Sequence, residues 1–371
     1  MSKSIHLLLM VGVLACAAAA MGAMVAVPPR AANAQGSTTR QADDPGIAPR
    51  PAAAKQDLNV LFIGNSMTWF CNMPRTVAEL AEKMDPPVRL HAALSCQACN
   101  TLRGHVRDGS PTRRAIAGEI GEQLKKMAVE IAFLESEVKA RPDDALAKAD
   151  LARLQADVKA LEGRPAWDIV VIQPWGGDDS KDPAAFAANV RTLQEEIARQ
   201  SPGARVILYM DPTRRFDSVK QEKSVRAAME AYRDLARSNQ AEVAPAALTG
   251  LLVSQERPEK WLKIKKLPND AHHGLYGAYA VACTIFAAIF DRSPEGLDVR
   301  RLEAHYQISA WRKDTDGKKA KVEPFKEHMG YFDDGPVQTI SDEDRRLIQA
   351  KAWEAWRQWK AVVAGKETAA P

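Results

Sequence analysis

The chain has little net charge and few cysteines and histidines. Its 51 Lys and Arg against 47 Asp and Glu leave a formal charge of +4, and 371 residues include 5 Cys and 7 His. Such a weak charge excess gives no reason to expect a nucleic-acid partner. Hydrophobic residues make up 46% of the sequence, which is enough for a substantial core.

The first residues have the pattern of an export signal. Lys3 precedes an uncharged apolar stretch, Leu7–Val27, and then Ala32-Asn33-Ala34. This order predicts a secretory signal peptide, residues 1–34, and a periplasmic or extracellular protein. An uncleaved membrane anchor is the alternative, but Ala and Gly, which insert weakly, fill much of the stretch. Cleavage removes two basic residues and no acids, so the charge falls from +4 to +2. Residues 35–56 are predicted to be a disordered linker.

An apolar run that stops at a glycine contains the candidate nucleophile. Val60–Ile63 is followed by Gly64, and Ser66 comes two positions later. A short apolar run of this kind is typical of a buried parallel strand. Ligands of open α/β sheets bind at the carboxyl ends of the strands. Ser66 is therefore a candidate nucleophile, with an ordinary loop serine as the alternative.

A second candidate group lies far along the chain, before a strongly apolar helix predicted near Tyr276–Phe290. Asp270 and His273 are three residues apart there. This spacing lets the carboxylate orient one imidazole nitrogen while the other faces outward, as a hydrolytic triad requires. A metal site built on Asp270, His272 and His273 lacks further ligands at usable spacing, so neither a metal nor a cofactor is expected.

Together these segments resemble the SGNH (GDSL-type) hydrolase superfamily, and in particular its secreted branch with a Gly-Asn-Ser first block. The resemblance covers Leu58–Leu297, apart from an insertion. It is carried by four stretches: Val60–Thr68 with Asn72-Met73-Pro74, Trp167–Gln173, Asp270–His273, and Gly277–Leu297.

The resemblance implies a Ser-His-Asp mechanism. Ser66 would attack an ester carbonyl, His273 would accept its proton, and Asp270 would orient the imidazole ring. The oxyanion hole would combine the backbone N–H groups of Ser66 and Cys99 with the side-chain amide of Gln173. A Gln173 that only caps or bridges loops is the alternative.

Two features depart from the family pattern. No glycine stands in the second block, near Ala98–Leu102, so the conformational freedom of that residue is lost. The general base is also ambiguous, because the spacing from Asp270 selects His273, whereas the family's interval to Gly277 selects His272.

Alternating strands and helices predict an α/β fold with a parallel sheet covered on both faces. The resemblance implies a flavodoxin-like three-layer sandwich with strand order 2-1-3-4-5. The predicted strands are Leu58–Ile63, Val88–Ala93, Asp168–Gln173, Arg205–Met210 and Glu242–Ala244. The other predicted helices are Pro74–Lys83, Pro183–Arg199 and Ser218–Ser238. The hydrolase domain would span residues 57–297.

An insertion at residues 112–163 carries two apolar stripes at helical spacing. The first runs from Ile116 through Ile120 to Val138, and the second from Leu151 to Leu161. They predict an antiparallel helical hairpin of coiled-coil type, which is either passive, shapes substrate access or contacts a protein partner. Residues 298–371 are predicted to form a helical extension that packs on the domain, with Trp353, Trp356 and Trp359 in its core or on a docking surface.

Four cysteines remain after cleavage: Cys71, Cys96, Cys99 and Cys283. Export permits disulfides, and a bridge from Cys71 to Cys96 or Cys99 would join two loops at one edge of the sheet. A redox role for Cys96 and Cys99 has no supporting context, and Cys283 is expected in the core.

The sequence thus predicts a secreted serine esterase that hydrolyses O-acyl esters of small molecules or carbohydrates. The alternatives are an inactive binding module on the same fold and an interaction protein that acts through the hairpin.

Overall fold

The computed structural model describes residues 56–69, 71–97, 100–163, 165–174, 182–211, 218–260, 273–303 and 337–365. The predicted signal peptide, nearly all of the linker, Cys99, Asp270 and His272 lie outside these ranges. Among the helices so described, none combines the length and the hydropathy needed to cross a bilayer.

Five parallel strands within these ranges form a sheet in the order β2-β1-β3-β4-β5. They are β1 (Asp57–Gly64), β2 (Arg89–Cys96), β3 (Ile169–Ile172), β4 (Arg205–Tyr209) and β5 (Glu242–Ala244). β1 pairs with both β2 and β3. The residues at its centre, Val60–Ile63, are fully buried, as expected for a strand covered on both faces. The predicted α/β class and strand order are confirmed.

Helices flank the sheet, and the most apolar of them lies in the core. In chain order the helices are α1 (Ser66–Trp69), α2 (Met73–Glu82), α3 (Leu102–His105), α4 (Pro111–Ile116), α5 (Gly121–Ala140), α6 (Ala145–Leu161), α7 (Pro183–Gln200), α8 (Ser218–Asn239), α9 (Ala246–Glu256), α10 (Leu275–Phe290) and α11 (Asp342–Val363). α10 is buried along most of its length and packs against α2, α9 and α11. A helix that is apolar on all sides requires such a position.

The inserted hairpin consists of α5 and α6, which pack against each other as predicted. The first helix of the hairpin is shorter than the apolar stripe predicted, because it does not include Ile116. α4 ends at Ile116, and the chain turns at Gly118, whose φ of 75° no right-handed helix contains, before α5 begins at Gly121. Ile116 and Ile120 are buried in the core, but they precede the hairpin helix.

The hairpin covers the exposed edge of β2. The side-chain oxygen of Gln123 in α5 accepts a hydrogen bond from the Leu94 N–H at 2.7 Å. His91 of β2 lies between Asp157 of α6, at 2.9 Å, and Asp57, at 3.3 Å. The Asp157 carboxylate, helped by Asp57 and opposed by burial, raises the pKa of His91. These contacts satisfy polar groups of an edge strand that would otherwise face water or another chain.

The C-terminal segment docks its helix on the domain. β6 (Arg301–Glu303) and β7 (Val337–Thr339) form an antiparallel pair before α11. The Ser341 hydroxyl caps α11 by accepting from the Asp344 N–H at 3.1 Å. Trp356 and Trp359 are buried, and the Trp356 indole N–H donates to Asp291 at 2.8 Å. These two tryptophans therefore lie in the core rather than on a docking surface.

Candidate active site

The turn after β1 is fixed by its own asparagine. Asn65 is buried, and its side-chain oxygen accepts from the Met67 N–H at 3.0 Å, which satisfies a backbone donor in the first turn of α1. Its side-chain nitrogen donates to the Asn100 carbonyl at 3.2 Å, which links the turn to the segment that follows β2. Ser66, the first residue of α1, is half-buried between these contacts at the carboxyl end of β1.

Gln173 bridges the ends of β1 and β3. Its side-chain oxygen accepts from the Asn65 N–H at 3.0 Å and from the Thr68 hydroxyl at 3.3 Å. Its side-chain nitrogen donates to the Pro174 carbonyl at 2.5 Å. These contacts match the loop-bridging alternative for Gln173, while its part in an oxyanion hole stays a prediction.

Tyr209, at the end of β4, completes this group of hydrogen bonds. Its hydroxyl lies 3.2 Å from the Thr68 hydroxyl oxygen. Because Thr68 donates to Gln173, which can only accept at its oxygen, Tyr209 is the donor in this pair. Burial, reinforced by the charge of Asp211, raises the pKa of Tyr209, so the donor proton is retained.

Gly64 leaves the space in which these side chains meet. A Cβ atom at this position would lie 2.3 Å from the Thr68 hydroxyl oxygen and 2.9 Å from both Cβ and Oε1 of Gln173. Any larger residue would therefore displace the polar contacts that position the Ser66 turn. The glycine that ends the apolar run is thus required by close packing at the site.

His273 lies next to the segment that follows Ser66. It is 1% exposed, and its backbone carbonyl accepts from the Cys71 thiol at 3.6 Å. Cys71 is five residues after Ser66, so two segments far apart in sequence meet at this edge of the sheet. The other members of the predicted set, Asp270 and His272, lie outside the described residues.

A buried polar network supports the segment after β2. His105 is fully buried, and its Nδ1 lies 2.6 Å from the Thr112 hydroxyl oxygen and 3.2 Å from the Asn100 amide nitrogen. Thr112 accepts from the Ser95 hydroxyl at 3.1 Å. Burial lowers the pKa of His105 to about 4, although the Gly64 carbonyl opposes this effect.

We expect His105 to weaken the fold as the pH falls. Its folded pKa of about 4 lies below the unfolded value of 6.5, so between these values the unfolded chain binds a proton that the folded chain excludes. This difference removes about 3 kcal/mol of stability as the pH falls from 7 to 4. Urea unfolding of the wild type and His105→Gln across this range measures it.

The two unfolding curves should diverge toward neutral pH, with the wild type gaining more stability as pH rises. The raised pKa of His91 changes stability with pH in the opposite direction. Because both proteins contain His91, it does not affect the comparison between them. Parallel curves for the wild type and His105→Gln would show that His105 is not a buried neutral imidazole.

The predicted bridge between Cys71 and Cys96 is wrong. Both residues are described, and their thiols face different carbonyls: that of His273 for Cys71, and that of Phe62, at 3.8 Å, for Cys96. Cys99 lies outside the described residues, so its pairing stays a prediction. Cys283 is buried in α10, where burial raises the pKa of its thiol, consistent with a core residue.

Several polar residues of the site were not singled out from the sequence. Asn65 lies inside the Gly-Asn-Ser block, and its capping role could have been predicted because Asn is a preferred N-cap residue. Asn100, His105 and Tyr209 carried no local signal. Their roles arise from tertiary contacts between residues distant along the chain.

Comparisons with known proteins find similarity only among solved structures. No family model matches the sequence, and neither does any curated protein. The structural matches have low sequence identity, and they include proteins described as hydrolases and esterases.

Three of these structures show the range of sequence identity and coverage. A DUF4886 family protein from Bacteroides uniformis is 12% identical, with a TM-score of 0.44 over 84% of this chain and 96% of that chain. A candidate SGNH hydrolase from Slackia heliotrinireducens is 21% identical, with a TM-score of 0.37 over 64% and 100% of the two chains. A catalytic mutant of an acetylxylan esterase from Geobacillus stearothermophilus is 13% identical, with a TM-score of 0.35 over 62% and 94%.

Proposed function

We propose that this protein is an exported serine esterase that hydrolyses O-acyl esters of small molecules or carbohydrates. Ser66 is the nucleophile, His273 the general base, and Asp270 the carboxylate that orients the imidazole, with His272 as the alternative base. One observation carries the proposal. Ser66 follows β1 in a turn fixed by buried polar groups, and the His273 carbonyl accepts from the Cys71 thiol five residues further along that segment.

The reaction has two steps. The Ser66 oxygen bonds to the carbonyl carbon while its proton passes to the imidazole. The tetrahedral intermediate then expels the alcohol oxygen, which takes the proton from the imidazolium and leaves an acyl-serine. Water attacks the acyl-serine with the same base, so that a carboxylic acid is released and Ser66 regains its proton.

Stabilisation of the oxyanion is assigned to the N–H groups of Ser66 and Cys99 and to the Gln173 amide. Gln173 has two side-chain N–H groups, and one of them donates to the Pro174 carbonyl. The oxyanion role therefore rests on the second N–H. Because the Gln173 oxygen also holds the Asn65 N–H, the same side chain that fixes the Ser66 turn would stabilise the transition state.

Turnover of p-nitrophenyl acetate tests the proposal against an inactive binding module on the same fold. An esterase releases p-nitrophenol at a rate proportional to enzyme concentration and saturable in ester. A binding module releases none above the background rate. The absence of turnover with acetate and longer esters alike would overturn the proposed activity.

A further inference from the structure

A large cavity lies between the base of the hairpin and the carboxyl end of β2. Its volume is about 900 Å³, which is within the range of small-molecule sites and far larger than an acetyl group. It is lined by the end of β2 and by α1, by α4 and the turn after it, and by the start of α5 and the end of α6. The insertion therefore supplies most of the residues that line this cavity.

Neighbours of the Ser66 turn line the cavity, although Ser66 itself does not. Trp69, in the same helix as Ser66, lines it. So do Cys96, which is in register with Gly64, and Gln97, whose N–H donates to the Gly64 carbonyl at 3.0 Å. The lining thus includes direct neighbours of the glycine that stands two residues before Ser66.

The inner wall of the cavity is less polar than its rim. Ile120 and Leu161 are buried, and Trp69, Leu94 and Leu124 are half-buried, so much of the inner wall is apolar. Ser95, Gln97 and Gln123 are the polar, uncharged members of the lining. Four charged residues also line the cavity: Arg114, Glu119 and Glu122 are exposed, and Lys126 is half-buried. A wall with this much apolar surface favours burial of an aliphatic chain.

We infer that this cavity binds an aliphatic chain of the ester, so that esters with a medium-length chain are the preferred substrates. The inference rests on the proposed function, because the cavity is placed relative to Ser66 as the nucleophile. The chain can belong either to the acyl group or to the alcohol. Each methylene buried in such a site adds binding free energy, which discriminates between chain lengths.

Gly121 offers a way to fill the cavity without straining the backbone. It lines the cavity at the start of α5, is exposed, and a Cβ there meets no atom within 4 Å. Gly121→Phe places a ring in the mouth of the cavity. Val129→Phe is the matched control, because Val129 is an exposed residue of the same helix that does not line the cavity.

The experiment compares kcat/KM for p-nitrophenyl octanoate and p-nitrophenyl acetate. The wild type should prefer the octanoate, Gly121→Phe should lower the octanoate-to-acetate ratio about tenfold or more, and Val129→Phe should keep it. A second comparison, of octyl acetate with ethyl acetate, shows whether the alcohol chain is the one that responds. If Gly121→Phe changes neither ratio while acetate is still cleaved, the cavity inference is wrong and the esterase proposal stands.

A binding measurement separates the two proposals. In a Ser66→Ala background, ethyl octanoate should bind in equilibrium dialysis, and adding Gly121→Phe should weaken that binding about tenfold. If no ester is hydrolysed but this binding and its loss are observed, the cavity inference stands and the esterase proposal fails. If ethyl octanoate does not bind, the cavity inference fails.

Discussion

Ser66→Ala is expected to lower kcat for p-nitrophenyl acetate at least about a thousandfold, because removal of the nucleophile leaves no atom that can form the acyl-enzyme. The fold should tolerate the change. Ser66 is half-buried, and the polar contacts that fix its turn are made by Asn65, Thr68 and Gln173. We therefore expect its free energy of unfolding to change by less than about 1 kcal/mol.

Ser136→Ala is a matched control for this substitution. Ser136 is an exposed serine on the hairpin helix α5, and its hydroxyl donates only to a carbonyl of its own helix, that of Phe133. This variant should retain wild-type turnover. Undiminished turnover by Ser66→Ala would mean that another group is the nucleophile.

Gly64→Ala is expected to destabilise the fold. The added Cβ would lie 2.3 Å from the Thr68 hydroxyl oxygen and 2.9 Å from Gln173 atoms, so the backbone or both side chains must move. Overpacking of this kind costs about 1 to 3 kcal/mol. Because the displaced contacts position the Ser66 turn, turnover should fall as well. Urea unfolding and the ester assay on the same preparation measure both effects.

Two further variants identify the cause of the Gly64→Ala effect. Adding Thr68→Ala removes the atom closest to the new Cβ, so Gly64→Ala should cost less stability in the Thr68→Ala background than in the wild type, which is a favourable coupling between the two sites. Gly121→Ala adds a Cβ that meets no atom within 4 Å, so it should leave the unfolding free energy unchanged or slightly raised. Equal stability of Gly64→Ala and wild type would contradict the close packing at this turn.

The strands were predictable because their signals are local, whereas their order was implied by the family resemblance. The run Val60–Ile63 is apolar on both faces, and this pattern is typical of the centre of a parallel sheet. The apolar segment that became α10 was equally distinctive, because such a helix can only lie in the core. The helical spacing of the two apolar stripes in the insertion predicted the hairpin.

Features that depend on tertiary contacts were not predictable. In the sequence, the first apolar stripe of the insertion runs through Ile116 and Ile120 without a break. In the structure, the chain turns at Gly118, and both isoleucine side chains are buried in the core before the hairpin starts. A bridge from Cys71 to Cys96 or Cys99 was predicted from two loops that share an edge of the sheet, but a shared edge does not specify where each thiol points.

The roles of the polar groups in the site also depend on tertiary contacts. Asn100, His105 and Tyr209 belong to different segments, and each acquires its role only when the sheet brings those segments together. A sequence pattern can indicate a candidate nucleophile at the end of a strand. It cannot identify the partners that hold the nucleophile in place.

The most direct test of the central claim is to label the protein with a fluorophosphonate and to map the modified residue by peptide mass spectrometry. We expect stoichiometric labelling at Ser66, slowed by excess ester substrate and absent from Ser66→Ala. A protein that is not labelled, or one labelled at another serine, would contradict the assignment of Ser66 as an activated nucleophile.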